Sequence, residues 1–509
     1  MSNEEHVLVA GSGIAGLGAA LALGNGARRV TLIDRDPPPP EGSAEDAFVG
    51  WERRGATQLR HSHVFLGRLT TLIRERYPDL LEELLDAGAR IFRFIDGLPP
   101  TLKDRYTPEP GDEDLAILFS RRTTLELVMR RYAARLPGVA FLDNAGVRGV
   151  IVERESKPYG GSVAIAERGF GEGLLAVRGL NVDVGGKPQE MRSNIVVDAM
   201  GRNTPFPHWL DALGVKTSEE ESPAGILYYT RHYRLRDGQA EPPRDRTAIA
   251  GDMGYLKFAV FNADNRHFSI TLATPEIETK LRVAIVRPEV FDAICAEIPG
   301  CARWTDPERA EPASPVYSMG NLKSVWRSYL RDGAPQVLNF FALGDAAVRT
   351  NPLYGRGCSA GVVHAHILRA ALDATRDPEE RARKVEADTR AALRPFYDAM
   401  VQQDLQAIRR AQHERDPHYR PGRRARLAKS FLEDALGPAT RGDLEVMRGF
   451  SRAFHMIEDP TEWLKRPTIL ARVLAFWAMP KAAKQARGLY PPRVGPERHE
   501  LLSKLEIAA

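Results

Sequence analysis

Cysteine is scarce in this 509-residue chain: Cys295, Cys301 and Cys358 are the only three, with no C-x-x-C pair and no Cys/His metal spacing. That argues against a disulfide framework for an oxidising compartment, and a cytoplasmic location is expected. Excess charge is also lacking. Lys plus Arg exceed Asp plus Glu by 71 − 67 = 4, too few to imply a nucleic-acid partner. No uninterrupted apolar run reaches about 18 residues, so no membrane-spanning helix is expected. The polar lead from Met1 to His6 has neither the basic region nor the cleavage site of a signal peptide. No internal repeat or long low-complexity tract is present. What remains, 43% apolar and 27% charged residues, is ordinary globular composition, and the length suggests several domains.

The first motif follows at once. Val7 to Ala10 is a short apolar run, Gly11-Ser12-Gly13-Ile14-Ala15-Gly16 follows it, and an Ala/Leu-rich helical stretch runs on to Gly24. A second apolar run, Val30 to Ile33, ends at Asp34-Arg35. Strand, tight turn, helix and strand make a βαβ unit. In the dinucleotide-binding version, the first glycine permits the turn, the second lets the backbone approach a pyrophosphate, and the third lets helix and strand pack closely. The helix N-terminus then faces the phosphates. Asp34 would accept hydrogen bonds from a ribose and repel a 2′-phosphate, which favours FAD or NAD over NADP at this end.

Further along, residues 37–50 read as an irregular loop and Phe65 to Leu85 as one helix. Leu115 to Phe119 is an expected strand, Arg122 to Leu136 a helix, and Val147 to Glu153 and Ile195 to Asp198 strands. Ile226 to Leu235, Tyr255 to Phe261 and Phe268 to Ala273 alternate apolar and polar residues, with a hairpin turn at Asn262 to Asn265. They form an antiparallel sheet whose expected apolar face carries Ile226, Tyr228, Phe258 and Val260. Beyond about residue 380 the chain is mostly helical, with Leu393, Tyr397, Met400, Val401, Leu405 and Ile408 on one face. The expected fold class is α/β: a Rossmann-like FAD-binding domain, an inserted antiparallel-sheet substrate domain and a helical C-terminal region. The expected boundaries are 1–222 with 336–378 for the first (small insertions near 38–54 and 90–114), 223–335 for the second and 379–509 for the third.

Three later segments decide between FAD and NAD. Val196-Val197-Asp198-Ala199-Met200-Gly201-Arg202 and Ala342-Leu343-Gly344-Asp345-Ala346-Ala347 each put an acid at a strand end, and Asn351-Pro352-Leu353-Tyr354-Gly355-Arg356-Gly357-Cys358 runs through glycines into a helix. They resemble the fingerprints of the flavin monooxygenases related to para-hydroxybenzoate hydroxylase. That resemblance puts Asp345 on the flavin ribityl chain, Pro352, Gly355, Gly357 and Cys358 at the flavin ring, and Arg121 on the pyrophosphate with Arg60 near the cofactor. The run Gln58-x-Arg60-His61-x-His63 is similar to bacterial FAD epoxidases acting on polyene precursors of polyethers, in the wider clan of squalene epoxidase. His61 and His63, two apart in an extended stretch, point to opposite sides and read as structural. His364 and His366 cannot face each other on a helix.

The resemblance implies a monooxygenase in which reduced FAD and O₂ form a C4a-hydroperoxide that delivers one oxygen atom to a hydrophobic small molecule, most simply epoxidising an alkene or polyene. The protein's part is to hold the substrate and exclude water. No second nucleotide fingerprint is seen, and Gly169 to Gly173 has neither its spacing nor its flanks. NADH or NADPH is therefore expected to bind transiently as donor, or a partner flavin reductase to supply electrons. Gly254-Tyr255-Leu256-Lys257-Phe258 partly matches flavin reductases that saturate isoprenoid double bonds, the geranylgeranyl reductase kind, which is the alternative. Tryptophans at 51, 209, 304, 326, 463 and 477 provide no Trp-x-Trp-x-Ile-Pro motif for a halogenase. The apolar stretch 463–477, interleaved with Lys and Arg, is a candidate for peripheral contact with the inner membrane.

Overall fold

Val7, Leu8, Val9 and Ala10 have no solvent exposure at all, so strand β1 (Glu5–Ala10) has the continuous apolar character of a strand covered on both faces. The computed structural model places it at the centre of a five-stranded parallel sheet. The strand order is Phe340–Ala342, Ile195–Asp198, β1, β2 (Arg28–Ile33) and Val139–Leu142. Between β1 and β2 runs helix α1 (Ile14–Leu23), apolar on every side and almost wholly buried. It packs on the long helix Gly357–Ala374 so closely that a Cβ on Gly18 would lie 3.2 Å from the Val362 Cα.

The structure describes residues 4–155 and 173–507. It comprises two units, Met1–Leu59 with Thr123–Ser222 and Lys323–Asp398, and Arg60–Arg122 with Pro223–Leu322 and Ala399–Ala509. The fold class is the expected one. The chain divides differently, into two units rather than three regions: residues 60–122 and 399–509 group with the second unit, and 323–335 and 379–398 with the first.

Beside its parallel sheet the first unit holds an antiparallel meander of Ala145–Glu155, Leu174–Val184 and Lys187–Arg192. The glycine stretch 169–173 lies, but for its last residue, outside the described residues. Three local expectations change. Residues 37–50 contain a helix, Ala44–Gly50, started by a reciprocal cap: Ser43 N donates to Asp46 Oδ2 at 2.7 Å, and Asp46 N to Ser43 Oγ at 3.3 Å. The stretch 65–85 is two helices, Gly67–Arg76 and Pro78–Asp86, because Pro78 cannot continue the first and opens the second instead. The strand expected to lead into Gly344 and Asp345 is two pieces, Val337–Leu338 and Phe340–Ala342, broken at Asn339, whose φ is +58°.

The second unit is built on an antiparallel sheet ordered Ala250–Asp252, Lys257–Asn262, His267–Pro275, Ile226–Leu235 and Ala310–Pro312, with Tyr317–Met319 also paired to Ile226–Leu235. The hairpin between Lys257–Asn262 and His267–Pro275 turns at Asn265 and Arg266, both at positive φ, and His267 N donates to Asp264 O at 2.9 Å. Register divides the expected apolar face. Tyr229, Leu272 and Phe258 lie in line across the sheet, whereas Tyr228 is in line with Ala273 and Lys257. Phe258 and Val260 therefore face the helices Pro288–Glu297, Pro299–Thr305 and Arg498–Lys504, while Ile226 and Tyr228 belong to a separate cluster on the other face.

The C-terminal helices have a core of their own, in which Ile469, Val473 and Phe476 of helix Pro467–Ala478 meet Ala435, Val446 and Trp463. Leu470 and Leu474 of the same helix are exposed. Arg448, 2% exposed, fastens helix Leu444–Phe454 to the segment before residue 115. Its guanidinium donates to Asp112 Oδ1 and Oδ2 at 3.0 Å each, to Glu109 at 2.8 Å and to Thr107 O at 2.6 Å. Burial would push the Asp112 carboxyl up, but the Arg448 bonds and the Tyr106 hydroxyl outweigh it and hold it below the usual carboxylate range. Removing one partner of such a pair leaves a buried charge without compensation. Arg448→Leu is expected to cost about 3 kcal/mol in denaturant unfolding. Because the Asp112 pKa is depressed on folding, its contribution is complete above about pH 4 and is lost as pH falls further, so the wild-type advantage over Arg448→Leu should shrink in acid.

Candidate functional site

The site begins where β1 ends. Gly11 has φ +98°, donates its N–H to Ile33 O at 2.8 Å, and carries no Cβ where one would lie 2.6 Å from Ala199 O. A Cβ on Gly16 would sit 2.0 Å from Gly11 O, a distance only glycine allows. Gly13 differs from both: its φ is an ordinary −75° and nothing lies within 4 Å of the Cβ position. Gly11 and Gly16 are thus required by the protein's own packing. At Gly13, the N-cap of α1 just before Ile14 and Ala15, the space is open. An open place at a helix N-terminus, where unpaired amides converge, suits a phosphate group.

Asp34 stands at the end of β2, buried, and its oxygens are nearly all occupied. Oδ2 accepts Ser12 N at 2.8 Å, Ser12 Oγ at 2.5 Å and Arg53 at 3.1 Å, and Oδ1 accepts Asp36 N at 2.9 Å. Oδ2 is thus fully used, whereas Oδ1 takes a single donor and keeps acceptor capacity for a hydroxyl. Burial would raise its pKa, but the Arg53 charge and the Ser12 bonds outweigh that and keep it low. Arg53 itself is buried and shared, lying 3.3 Å from both Asp36 and Glu126. Arg130 pairs with Asp143 at 2.6 Å and reaches Ser12 Oγ at 3.4 Å. Arg35 is exposed and donates to Arg54 O at 2.8 Å.

On the far side of the parallel sheet, the turn after Phe340–Ala342 carries Gly344 and Asp345. Gly344 has φ +57°, and its Cβ position lies 2.8 Å from the Ala15 Cβ, so this turn rests on the first residues of α1. Gly361 meets Ala15 as well, at 3.4 Å. Asp345 Oδ1 lies 3.8 Å from the Cβ position of Gly357, the first residue of helix Gly357–Ala374. Before that helix, Asn351 Oδ1 accepts Leu353 N at 3.0 Å, starting the single turn Pro352–Tyr354 that Gly355 closes at φ +65°. Cys358 is buried in the helix's first turn. Asp198, at the end of its parallel strand, is buried and accepts Met200 N at 3.0 Å and Thr204 Oγ1 at 2.6 Å, and burial pushes its pKa up to about 6. Gly11, Gly13, Ile14, Ala15, Gly16, Asp34, Arg35, Gly344, Asp345, Pro352, Gly355, Gly357 and Cys358 all lie in the first unit, and close approaches join Gly11 with Gly16, Ala15 with Gly344, and Gly357 with Asp345.

Arg60 and Arg121 belong to the second unit. Arg121 is 3% exposed, and its Nε donates to Asp264 Oδ1 at 2.6 Å while Asp264 Oδ2 accepts its N–H at 2.7 Å. The Arg60 carbonyl accepts His232 Nε2 at 2.9 Å. His63 donates from Nδ1 to the His61 carbonyl at 2.8 Å and receives Arg122 at 3.2 Å, and His61 Nδ1 lies 3.1 Å from Thr230 Oγ1. Burial pushes the His61 pKa down to about 4, and that of His364 likewise, so both are neutral at pH 7. Ser12, Arg53, Glu126 and Asp264 escape sequence reading. Arg53 stands in a loop and Glu126 on a helix without a motif, and no periodicity links them to Asp34.

No family model matches the sequence. The chain is similar to Protein Rv3254 of Mycobacterium tuberculosis, at 25% identity over 397 residues, 73% of each chain. It superposes on the flavin-dependent brominase Bmp2 with a TM-score of 0.57 at 16% identity, covering 93% of this chain and 98% of that one. The OxyS anhydrotetracycline hydroxylase from Streptomyces rimosus gives a TM-score of 0.54 at 17% identity, covering 89% and 76%. The fold is that of flavin-dependent monooxygenases and halogenases. The open place at Gly13 and the packed glycines around it predict different outcomes on substitution. Gly16→Ala is expected to lower the thermal midpoint of the flavin-free protein. Gly13→Ala should leave that midpoint unchanged yet weaken FAD binding tenfold or more, about 1.4 kcal/mol, by flavin-fluorescence titration. Equal affinity in Gly13→Ala would remove Gly13 from the site.

Proposed function

We propose that this protein is an FAD-dependent monooxygenase that places one oxygen atom from O₂ on a hydrophobic small molecule, with epoxidation of an alkene or polyene as its reaction. One observation carries the reading: the glycine cradle open at Gly13, backed by Asp34 and joined through Ala15 to the turn of Asp345 and the start of the Gly357 helix. These residues fit FAD. The amides opening α1 would meet the pyrophosphate, the remaining Asp34 Oδ1 position a ribose hydroxyl, and Asp345 the ribityl hydroxyls. A bound flavin supplies the electron pair and the activation of oxygen. The amides at the start of helix Gly357–Ala374 would stabilise negative charge on a reduced ring held there by ~0.3–2 kcal/mol. The Asp34 carboxylate would repel a further phosphate at the adenosine ribose.

The donor in this reading is NADH or NADPH bound transiently, or a partner flavin reductase. The alternatives, saturation of an isoprenoid double bond and halogenation, use the same cofactor cradle. They part at the oxygen step and at the missing Trp-x-Trp-x-Ile-Pro motif. The purified protein is to be reduced anaerobically with NADH or NADPH, mixed rapidly with oxygenated buffer and followed by absorbance. A transient spectrum unlike either the oxidised or the reduced flavin is expected, together with incorporation of one ¹⁸O atom into a polyene. Featureless reoxidation with polyene present would favour the reductase.

The membrane contact expected of 463–477 finds support in one half of helix Pro467–Ala478 only, since Leu470 and Leu474 stay exposed while Ile469, Val473 and Phe476 are used in the core. We propose a peripheral contact through the two leucines. The protein is expected to co-sediment with phosphatidylglycerol vesicles, and Leu470→Asp with Leu474→Asp to reduce the bound fraction several-fold. Sedimentation of wild type no greater than of the double variant would end this proposal.

A further inference from the structure

The second unit contains a cleft of ≈ 470 Å³ between the edge strand Ala250–Asp252 and the segment Pro491 to Glu497, with Arg441 in its wall. A volume of this order holds a small organic molecule. The lining is divided in character. Met253, Pro491, Pro492, Val494 and Pro496 provide apolar surface, and the charged groups are Arg441, Arg493, Asp252 and Glu497.

Three of the four charges are already balanced. Asp252 pairs with Lys257 and with Arg410 at 2.5 Å, and Arg493 pairs with Glu500 at 2.6 Å and Glu497 at 3.7 Å. Arg441 is not. Among the described residues no carboxylate lies within ion-pair distance of its guanidinium, and its side chain donates only from one terminal nitrogen, to Gly437 O at 3.0 Å. It is half-buried, and burial lowers its pKa with no acidic neighbour to offset the effect. That bond runs one turn back along helix Gly437–Gly442, to the carbonyl of its first residue. It uses one of five donors. A half-buried guanidinium with its remaining donors uncommitted, in the wall of an open cleft, has the chemistry of an anion receptor.

We infer that this cleft binds an amphipathic organic anion, its carboxylate on the Arg441 guanidinium and its apolar body against Met253, Val494 and the prolines. The site is independent of the flavin reading, because its residues and its test involve neither cofactor nor turnover. The guanidinium gives charge and a planar fork for the two carboxylate oxygens. The proline-rich wall gives apolar area without the entropy loss of flexible side chains.

Octanoate titrated into the full-length protein by isothermal calorimetry tests this, with octanol as the neutral isostere and inorganic phosphate as the anion without an apolar body. Saturable one-to-one octanoate binding is expected, at least tenfold weaker in Arg441→Gln and partly restored in Arg441→Lys, with octanol and phosphate both weaker than octanoate. Pro492→Trp narrows the cleft from an exposed position and leaves the guanidinium in place. It should weaken octanoate as well, which keeps the test valid if Arg441→Gln misfolds. Octanoate binding equal in wild type, Arg441→Gln and Pro492→Trp would overturn the inference, as would octanol or phosphate binding as tightly as octanoate, or no saturable octanoate binding.

Discussion

Close approach of backbone, allowed by missing side chains, is the constraint on which the first unit depends. Gly16 lets α1 come against the Gly11 carbonyl, Gly11 lets β1 turn beside Ala199, and Gly344 and Gly361 both come against Ala15. Each glycine costs roughly 0.5–1 kcal/mol of chain entropy relative to alanine, so four at one point are retained only where the geometry needs them. Their effect is to bring the ends of three parallel strands, the start of α1 and the start of helix Gly357–Ala374 around one place. Gly13 stands among them without any such packing need, which is what separates a place kept open from a place merely crowded.

Beneath that place the charges are arranged with equal economy. Arg53 is 3% exposed at its side chain and shared by Asp34, Asp36 and Glu126, whose side chains are 8%, 1% and 0% exposed. Arg130 joins the cluster through Ser12. The pair-by-pair gain of such a cluster is offset largely by desolvation, so its role is better sought in position than in stability. It fixes the Asp34 carboxylate at the end of β2.

How much of this was legible in the sequence depended on range. The βαβ unit could be read because its period, its glycines and its terminal acid all lie within Val7 to Asp34. The strands at Ile195–Asp198 and Ile226–Leu235 were placed to the residue. Local breaks were missed where a single residue decided them: Pro78 in a helical pattern, Asn339 in an apolar run, the Ser43 and Asp46 pair in a proline-rich loop. The ion cluster was not legible at all, since Arg53 meets Glu126 across 73 residues of sequence. The resemblance assigns Arg121 to a cofactor phosphate, and its pairing with Asp264 across 143 residues is another contact that no local pattern carries.

The antiparallel sheet shows why a substrate wall is harder to read than a cofactor cradle. Alternation in Ile226–Leu235 and Lys257–Asn262 established that each strand has an apolar side, but not which sides coincide. That is fixed by register, and one residue of offset moved Tyr228 to the opposite face from Phe258. The face of Tyr229, Phe258 and Leu272 is consumed by the unit's own helices. The other face pairs Thr230 with Thr271 at 3.0 Å and carries Ser269, joined to Ser62 at 2.7 Å. That hydroxyl-lined face is covered by the segment 60–63, whose His61 and Ser62 meet Thr230 and Ser269, so it too is used within the unit. Alternation in sequence is as much the mark of a core as of a binding wall, and only the pairing of strands tells them apart.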